Sequence, residues 1–254
     1  IFGDNNGGTG PIEKNPNVYE HIEDFDLSRI FLLLGPFPSS QYLQNDNILQ
    51  YYYGDDPELW YYLFGFEGDD VTVGSIKGEL GKRSISITDV YAYAQRKSFI
   101  NPNPNDNLKN IVLNSAVLKV FDSQSNVKTI LTLSGTMKDF VDNNQKTNTT
   151  SGLRWIIDQS KENFSISAFE NGPFYPLNND NVNLLIDAVN GPVWWLKKGN
   201  NSPIKVVSLP SPSKNAARRM TLSGFFREWV NSKIDNINVL EFTTKQLKAV
   251  MAQH

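Results

Sequence analysis

From residue 84 to residue 209, apolar side chains recur at every second position in short runs that turn-forming residues interrupt. This is the pattern a half-buried strand imposes on a sequence. In Ser84 to Tyr93 the alternation puts Ile85, Ile87, Tyr91 and Tyr93 on one face. The runs from Ile111 to Phe121 and from Val127 to Met137 flank Asp122-Ser123-Gln124-Ser125-Asn126, which predicts a hairpin. Leu153, Trp155 and Ile157 alternate, as do Val182, Leu184, Ile186 and Ala188, and Val193 to Leu196 and Ile204 to Leu209 add two more strands. Asn101-Pro102-Asn103-Pro104-Asn105-Asp106-Asn107 reads as a loop, because each proline lacks the N–H that a ladder needs. About eight short strands separated by turns predict a mainly β fold, an antiparallel β-sandwich or jelly roll or else a barrel.

The two ends differ from this middle. Residues 1–20 contain Gly3-Asp4-Asn5-Asn6-Gly7-Gly8-Thr9-Gly10-Pro11, which has no core-facing pattern and reads as an extended arm. Residues 21–212 form the expected β body. Within it, Asp26 to Leu34 is either a short helix or a buried strand, ended by Gly35-Pro36. In residues 213–254, Leu222, Phe225, Phe226, Trp229 and Val230 follow helical spacing, and Thr243 with Gln246 makes a capping box for a second helix bearing Leu247, Val250 and Met251. The C-terminal segment is therefore expected to be helical and packed on the body.

Chemistry is constrained mainly by what is missing. There are no cysteines among 254 residues, so disulfides, thiolate catalysis and Cys-based metal sites are excluded. The two histidines, His21 and His254, lie near opposite ends, which leaves no His cluster for a metal and no evident relay for a nucleophile. Neither a catalytic constellation nor a cofactor motif stands out, and the expectation is for no cofactor and no metal. The Gly-rich start lacks the preceding strand that a phosphate loop requires. A net charge of −3 argues against a general nucleic-acid surface; the local exception is Lys214, Arg218 and Arg219. The longest apolar run, Ile30 to Leu34, is far too short for a membrane-spanning helix, so no membrane insertion is expected.

Aromatic residues crowd positions 51–66, and Tyr51, Tyr53 and Trp60, with Trp194, are the candidate ligand-binding rings. Acidic residues flank that stretch at Asp55, Asp56, Glu58, Glu67, Asp69, Asp70 and Glu79. Two of them facing one another across a cleft would suit glycoside hydrolysis.

Three segments resemble those of picorna-like virus capsid proteins. Leu27-Ser28-Arg29-Ile30-Phe31-Leu32-Leu33 is similar to the stretch that follows the N-terminal arm in that family. Phe64-Gly65-Phe66-Glu67-Gly68-Asp69 resembles its aromatic-x-aromatic-Arg-Gly-Ser segment, with Glu67 and Asp69 in place of Arg and Ser. Pro173-Phe174-Tyr175 is similar to its Pro-aromatic-Tyr near the later strands. The resemblance implies a non-enzymatic jelly-roll subunit of a larger assembly, in a virion, with copies of itself or related subunits as partners. Asp4, Asn5, Arg29, Phe226 and Trp229 are then the expected assembly contacts, and a start at Ile1 would follow from cleavage of a precursor. The alternative expectations are a secreted sandwich or lipocalin-like module that binds a glycan or small apolar ligand, and the carboxylate-pair hydrolase.

Overall fold

The computed structural model describes residues 11–39, 48–54, 57–66, 70–96, 108–135, 139–140, 147–167, 172–177, 193–209, 248–249 and 251–252. The structure is mainly β: the described residues hold ten strands in two sheets, neither of them closed into a barrel. In chain order the elements are β1 (Ile12–Lys14), α1 (Pro16–Tyr19), a 3₁₀ turn (Ile22–Asp24), β2 (Phe31–Gly35), α2 (Glu58–Phe64), α3 (Val73–Lys82), β3 (Ile85–Asp89), β4 (Tyr91–Arg96) and β5 (Leu108–Leu113). A 3₁₀ helix (Ser115–Phe121), β6 (Thr129–Thr132), α4 (Thr149–Ser160), β7 (Phe164–Ser167), β8 (Tyr175–Pro176), β9 (Val193–Lys198) and β10 (Ile204–Ser208) follow.

The larger sheet runs β3-β2-β6-β10-β9-β7-β8 and the smaller runs β1-β4-β5. Antiparallel pairing, expected throughout, holds in the small sheet and from β10 to β8, whereas β3, β2, β6 and β10 are mutually parallel. The sequence of β2 explains its place in the parallel set. Phe31-Leu32-Leu33-Leu34-Gly35 is buried at every position, as a strand covered on both faces must be. Leu32 and Leu34 join one hydrophobic cluster with Ile130 and Val206. Phe31 and Leu33 join the other, with Ile85, Ile87, Leu131 and Val207.

Each face has its own cover. On the first face lie α4 through Leu153, Ile156 and Ile157, the 3₁₀ helix through Val117, Val120 and Phe121, and the small sheet through Tyr91, Ala94 and Leu108. The two sheets thus share a core, as in a sandwich. On the second face lie α2 through Leu59, Trp60 and Leu63, and α3 through Ile76 and Leu80.

Two predicted β segments are helical, and the reason is visible in their spacing. Leu153, Ile156 and Ile157 stand at i, i+3 and i+4, and Asn148 caps α4 by accepting from the Ser151 amide. Val117, Val120 and Phe121 repeat that spacing, so the segment expected to pair with Val127–Met137 becomes β5 plus a 3₁₀ helix. No hairpin forms there: β5 pairs with β4, while β6 lies between β2 and β10. Tyr91 and Tyr93 likewise leave the sheet that holds Ile85 and Ile87, because the chain passes at Val90 from β3 into β4 of the small sheet. The strand expected over 182–188 and the loop over 101–107 lie outside the described residues.

Residues 12–19, expected in an extended arm, belong to the body. β1 pairs antiparallel with β4, and Asn15 and Asn17 are buried. Most of the C-terminal helical segment lies outside the described residues, although Met251 packs on the second cluster.

Leu33 sits at the centre of the second cluster and is almost wholly buried. Leu33→Ala is expected to cost about 2–5 kcal/mol, the range for emptying such a site, as read by urea denaturation. A loss below about 1 kcal/mol, the range of surface changes, would contradict this placement of β2.

Candidate functional site

The carboxyl ends of the four parallel strands lie along one edge of the large sheet, and the connections leaving them diverge. The chain leaves β2 for α2 and α3 on one face, and it leaves β6 for α4 on the other. Adjacent strands whose connections part in this way leave a crevice at their carboxyl ends, the usual ligand position in open sheets of this kind.

On the β2–β3 side, the edge is built around Asp89. Its Oδ2 accepts from Asn15 Nδ2 at 3.0 Å and from Asn17 Nδ2 at 2.9 Å. Its Oδ1 lies against Gly35, where any Cβ would collide with it. This contact explains why β2 ends in glycine. Oδ1 accepts no hydrogen bond among the described residues. Burial raises the Asp89 carboxyl to about 6, against the two amide bonds, which favour the charged form. Asn114 braces the turn behind it, donating to Thr88 Oγ1 at 3.2 Å and to the Asp89 carbonyl at 2.9 Å.

Next to it stand two tyrosines. Tyr52 OH donates to the carbonyls of Asn17 at 2.8 Å and Ile87 at 3.3 Å, and its pKa is pushed well up by burial and then by the Asp89 charge. Tyr53 brings its hydroxyl to the same Gly35 position.

On the β6–β10 side, the edge is a cluster of buried hydroxyls. Thr132 Oγ1 lies 3.0 Å from Thr150 Oγ1 and 3.1 Å from Ser208 Oγ, and Thr150 Oγ1 donates to the Ser134 carbonyl at 2.8 Å. Ser134 Oγ accepts from the Thr149 amide at 2.9 Å. Gly135 has φ of +90°, and a Cβ there would strike the Asn148 side chain, so glycine is needed twice over. The first amides of α4 are taken up: Thr149 by Ser134 Oγ, Thr150 by the Ser134 carbonyl and Ser151 by Asn148 Oδ1. That helix end therefore holds few free donors for an anion.

The predicted ligand-binding rings lie elsewhere. Tyr51 and Trp60 are fully buried in the second cluster and Trp194 in the first, so none of the three offers a face to an open groove. Their packing explains this: Trp60 Nε1 donates to the Tyr52 carbonyl at 2.9 Å, and Trp194 lies 5.7 Å from Phe140. Tyr53 alone of the four is half-buried and belongs to the edge described above. Tyr51 OH donates to Asp24 Oδ2 at 2.9 Å, and burial, followed by that carboxylate, pushes its pKa up.

Arg29, expected as an assembly contact, is engaged within the chain, pairing with Asp26 at 3.2 Å and donating to the Ile85 carbonyl at 2.5 Å. Asp4, Asn5, Phe226 and Trp229 lie outside the described residues, as do Lys214, Arg218 and Arg219. Among the acidic hydrolase candidates, Asp55, Asp56, Glu67 and Asp69 also lie outside them. Glu79 is paired with Lys82 at 2.7 Å and Arg83 at 3.3 Å on α3. His21, Glu23 and Asp24 come within metal-ligand reach of one another. Lys77 Nζ already bridges that pair of carboxylates, at 2.5 Å and 3.2 Å, so the cluster carries its own cation.

No family model, curated protein or solved structure matches this chain.

Asp89 was hidden in the sequence within a β run. The available signal was punctuation: Gly35-Pro36, Asp89 and Ser134-Gly135 each follow an apolar strand. A carboxyl whose folded value of about 6 exceeds the ordinary 3.8 favours the fold while protonated. Its contribution is full below pH 4 and is lost as pH rises through 6, a change of order 3 kcal/mol. Asp89→Asn is expected to flatten the dependence of urea stability on pH between 4 and 7. An unchanged pH slope in the variant would contradict the assignment.

Proposed function

We propose that this chain binds a small, neutral, hydrogen-bonding organic ligand at the carboxyl edge of its parallel strands, in the crevice between β2 and β6. The observation that carries the reading is the divergence of the two connections, to α2 and α3 on one face and to α4 on the other. The groups along the edge are hydroxyls, side-chain amides and the Asp89 carboxyl, whose Oδ1 accepts no hydrogen bond among the described residues, a set suited to orienting a polar ligand. Phosphates and other anions are poorly served. Pro36 and Pro38 remove two amides from the turn after β2, and the first turn of α4 is capped by its own neighbours.

Assembly through the arm and the C-terminal helices draws no support from this geometry. The residues expected to carry it are outside the described region, apart from Arg29, which is bound within the chain.

The test is two-dimensional NMR of the labelled protein with adenosine, nicotinamide and N-acetylglucosamine, each at about 1 mM, where a weak site is substantially filled. At least one probe is expected to shift the amides of Gly35, Phe37, Ser134 and Leu209 most. Shifts centred on the small sheet at Ile12 and Val112, or no shift with any probe, would overturn the reading.

A further inference from the structure

We propose that Arg96 is a positioning residue of the crevice, holding the turn after β2 in place with Glu13 of β1 as its counter-ion. Its effect on binding rests on the crevice reading above, whereas its hold on the turn is a property of the chain alone.

The turn Pro36-Phe37-Pro38 leaves β2 at the crevice, and little within it fixes its shape. The two prolines restrict φ but bring no N–H, so the turn is held through its carbonyls, from outside. At its start the hold is backbone. The Val90 amide donates to the Gly35 carbonyl at 2.9 Å and the Tyr91 amide to the Pro36 carbonyl at 3.3 Å, both from the junction of β3 and β4. At its far end the hold is a side chain. Arg96, the last residue of β4, donates from Nη2 to the Pro38 carbonyl at 2.7 Å. Its guanidinium carbon lies 5.7 Å from the centre of the Phe37 ring, within cation–π range.

The same guanidinium is anchored on the small sheet. Nε donates to Glu13 Oε2 at 2.9 Å, and the antiparallel pairing of β1 with β4 sets Glu13 opposite Ala94. The Arg96 side chain is 2% exposed and that of Glu13 13%. Attraction between two buried charges does little more than offset the cost of taking them out of water, so stability alone is a poor account of the pair. Geometry is a better one. A planar guanidinium presents its donors in fixed directions, so binding at Nε and Nη2 together sets Pro38 relative to Glu13. A lysine ammonium on its flexible stem defines no such relation.

A line of contacts therefore runs from β1 through Glu13 and Arg96 to the Pro38 carbonyl and the Phe37 ring. Glu13 has no hydrogen bond to the turn among the described residues, so its influence there is carried by Arg96. An influence carried by the β1–β4 ladder would instead appear first at Ala92 and Ala94.

Two-dimensional NMR of the full chain tests this, with and without adenosine, nicotinamide and N-acetylglucosamine as probes. Glu13→Ala should move the Phe37 amide and ring signals more than the amides of Ala92 and Ala94. It should also weaken whichever probe the wild type binds by about tenfold, the scale of one lost hydrogen bond. Glu13→Gln keeps an acceptor for Nε and should restore both, to within about threefold in affinity. Arg96→Lys should act as Glu13→Ala does. In the wild type, the Arg96 Nε–H should be protected from exchange. Phe37 unmoved in both variants, changes largest within β4, or a probe bound as tightly by the variants as by the wild type would each overturn the assignment. If no probe binds the wild type, the crevice reading falls, and the Phe37 signals alone decide the hold on the turn. If Glu13→Ala and Arg96→Lys do not fold, the wild-type signal decides, and an Nε–H exchanging as fast as a free guanidinium overturns the hold.

Discussion

The structure depends on β2 being buried on both faces. A strand with Leu32 and Leu34 facing one way and Phe31 and Leu33 the other cannot lie at a water-facing surface, so it recruits a layer on each side. Burying each such side chain contributes about 1.5–3 kcal/mol. β3 and β6 pair with it in parallel, and parallel pairing needs crossovers long enough to hold helices. The helices then cover the two faces. The divergence at the carboxyl edge follows, because one crossover covers each face.

The polar edge follows in turn from those packing demands. β2 ends in Gly35 because Asp89 Oδ1 occupies the space a side chain would take. β6 is followed by Ser134-Gly135 because α4 begins hard against it, with Asn148 filling the position of any Cβ at Gly135. Gly152 serves the same purpose inside α4, letting the helix approach Val90 and Tyr91. Small residues at strand ends thus convert close packing of the layers into a polar rim.

Strand content was legible in the sequence, since alternation and turn residues mark β3, β9 and β10 directly, and the mainly β character follows from them. Strand direction was not. Parallel and antiparallel partners differ through connections, and the connections here include helices whose apolar spacing coincides with alternation at two of three positions, as at Leu153 and Ile157. The added Ile156 is what distinguishes a helix, and so do Val117, Val120 and Phe121. The rings at Tyr51, Trp60 and Trp194 could be recognised as important but not as internal, because an aromatic cluster is equally suited to a core and a platform. Asp89 was the least legible. Its role comes from Asn15 and Asn17, more than seventy positions away in sequence, and no local pattern announces such a contact.

Backbone NOEs across β2 test the account most directly. Parallel pairing places Leu33 beside Ile87 on one side and beside Leu131 on the other, and connectivities from β2 to both strands are predicted. Antiparallel connectivities joining Ile111–Phe121 to Val127–Met137, with none from β2 to β6, would contradict the central strand and the carboxyl edge that rests on it.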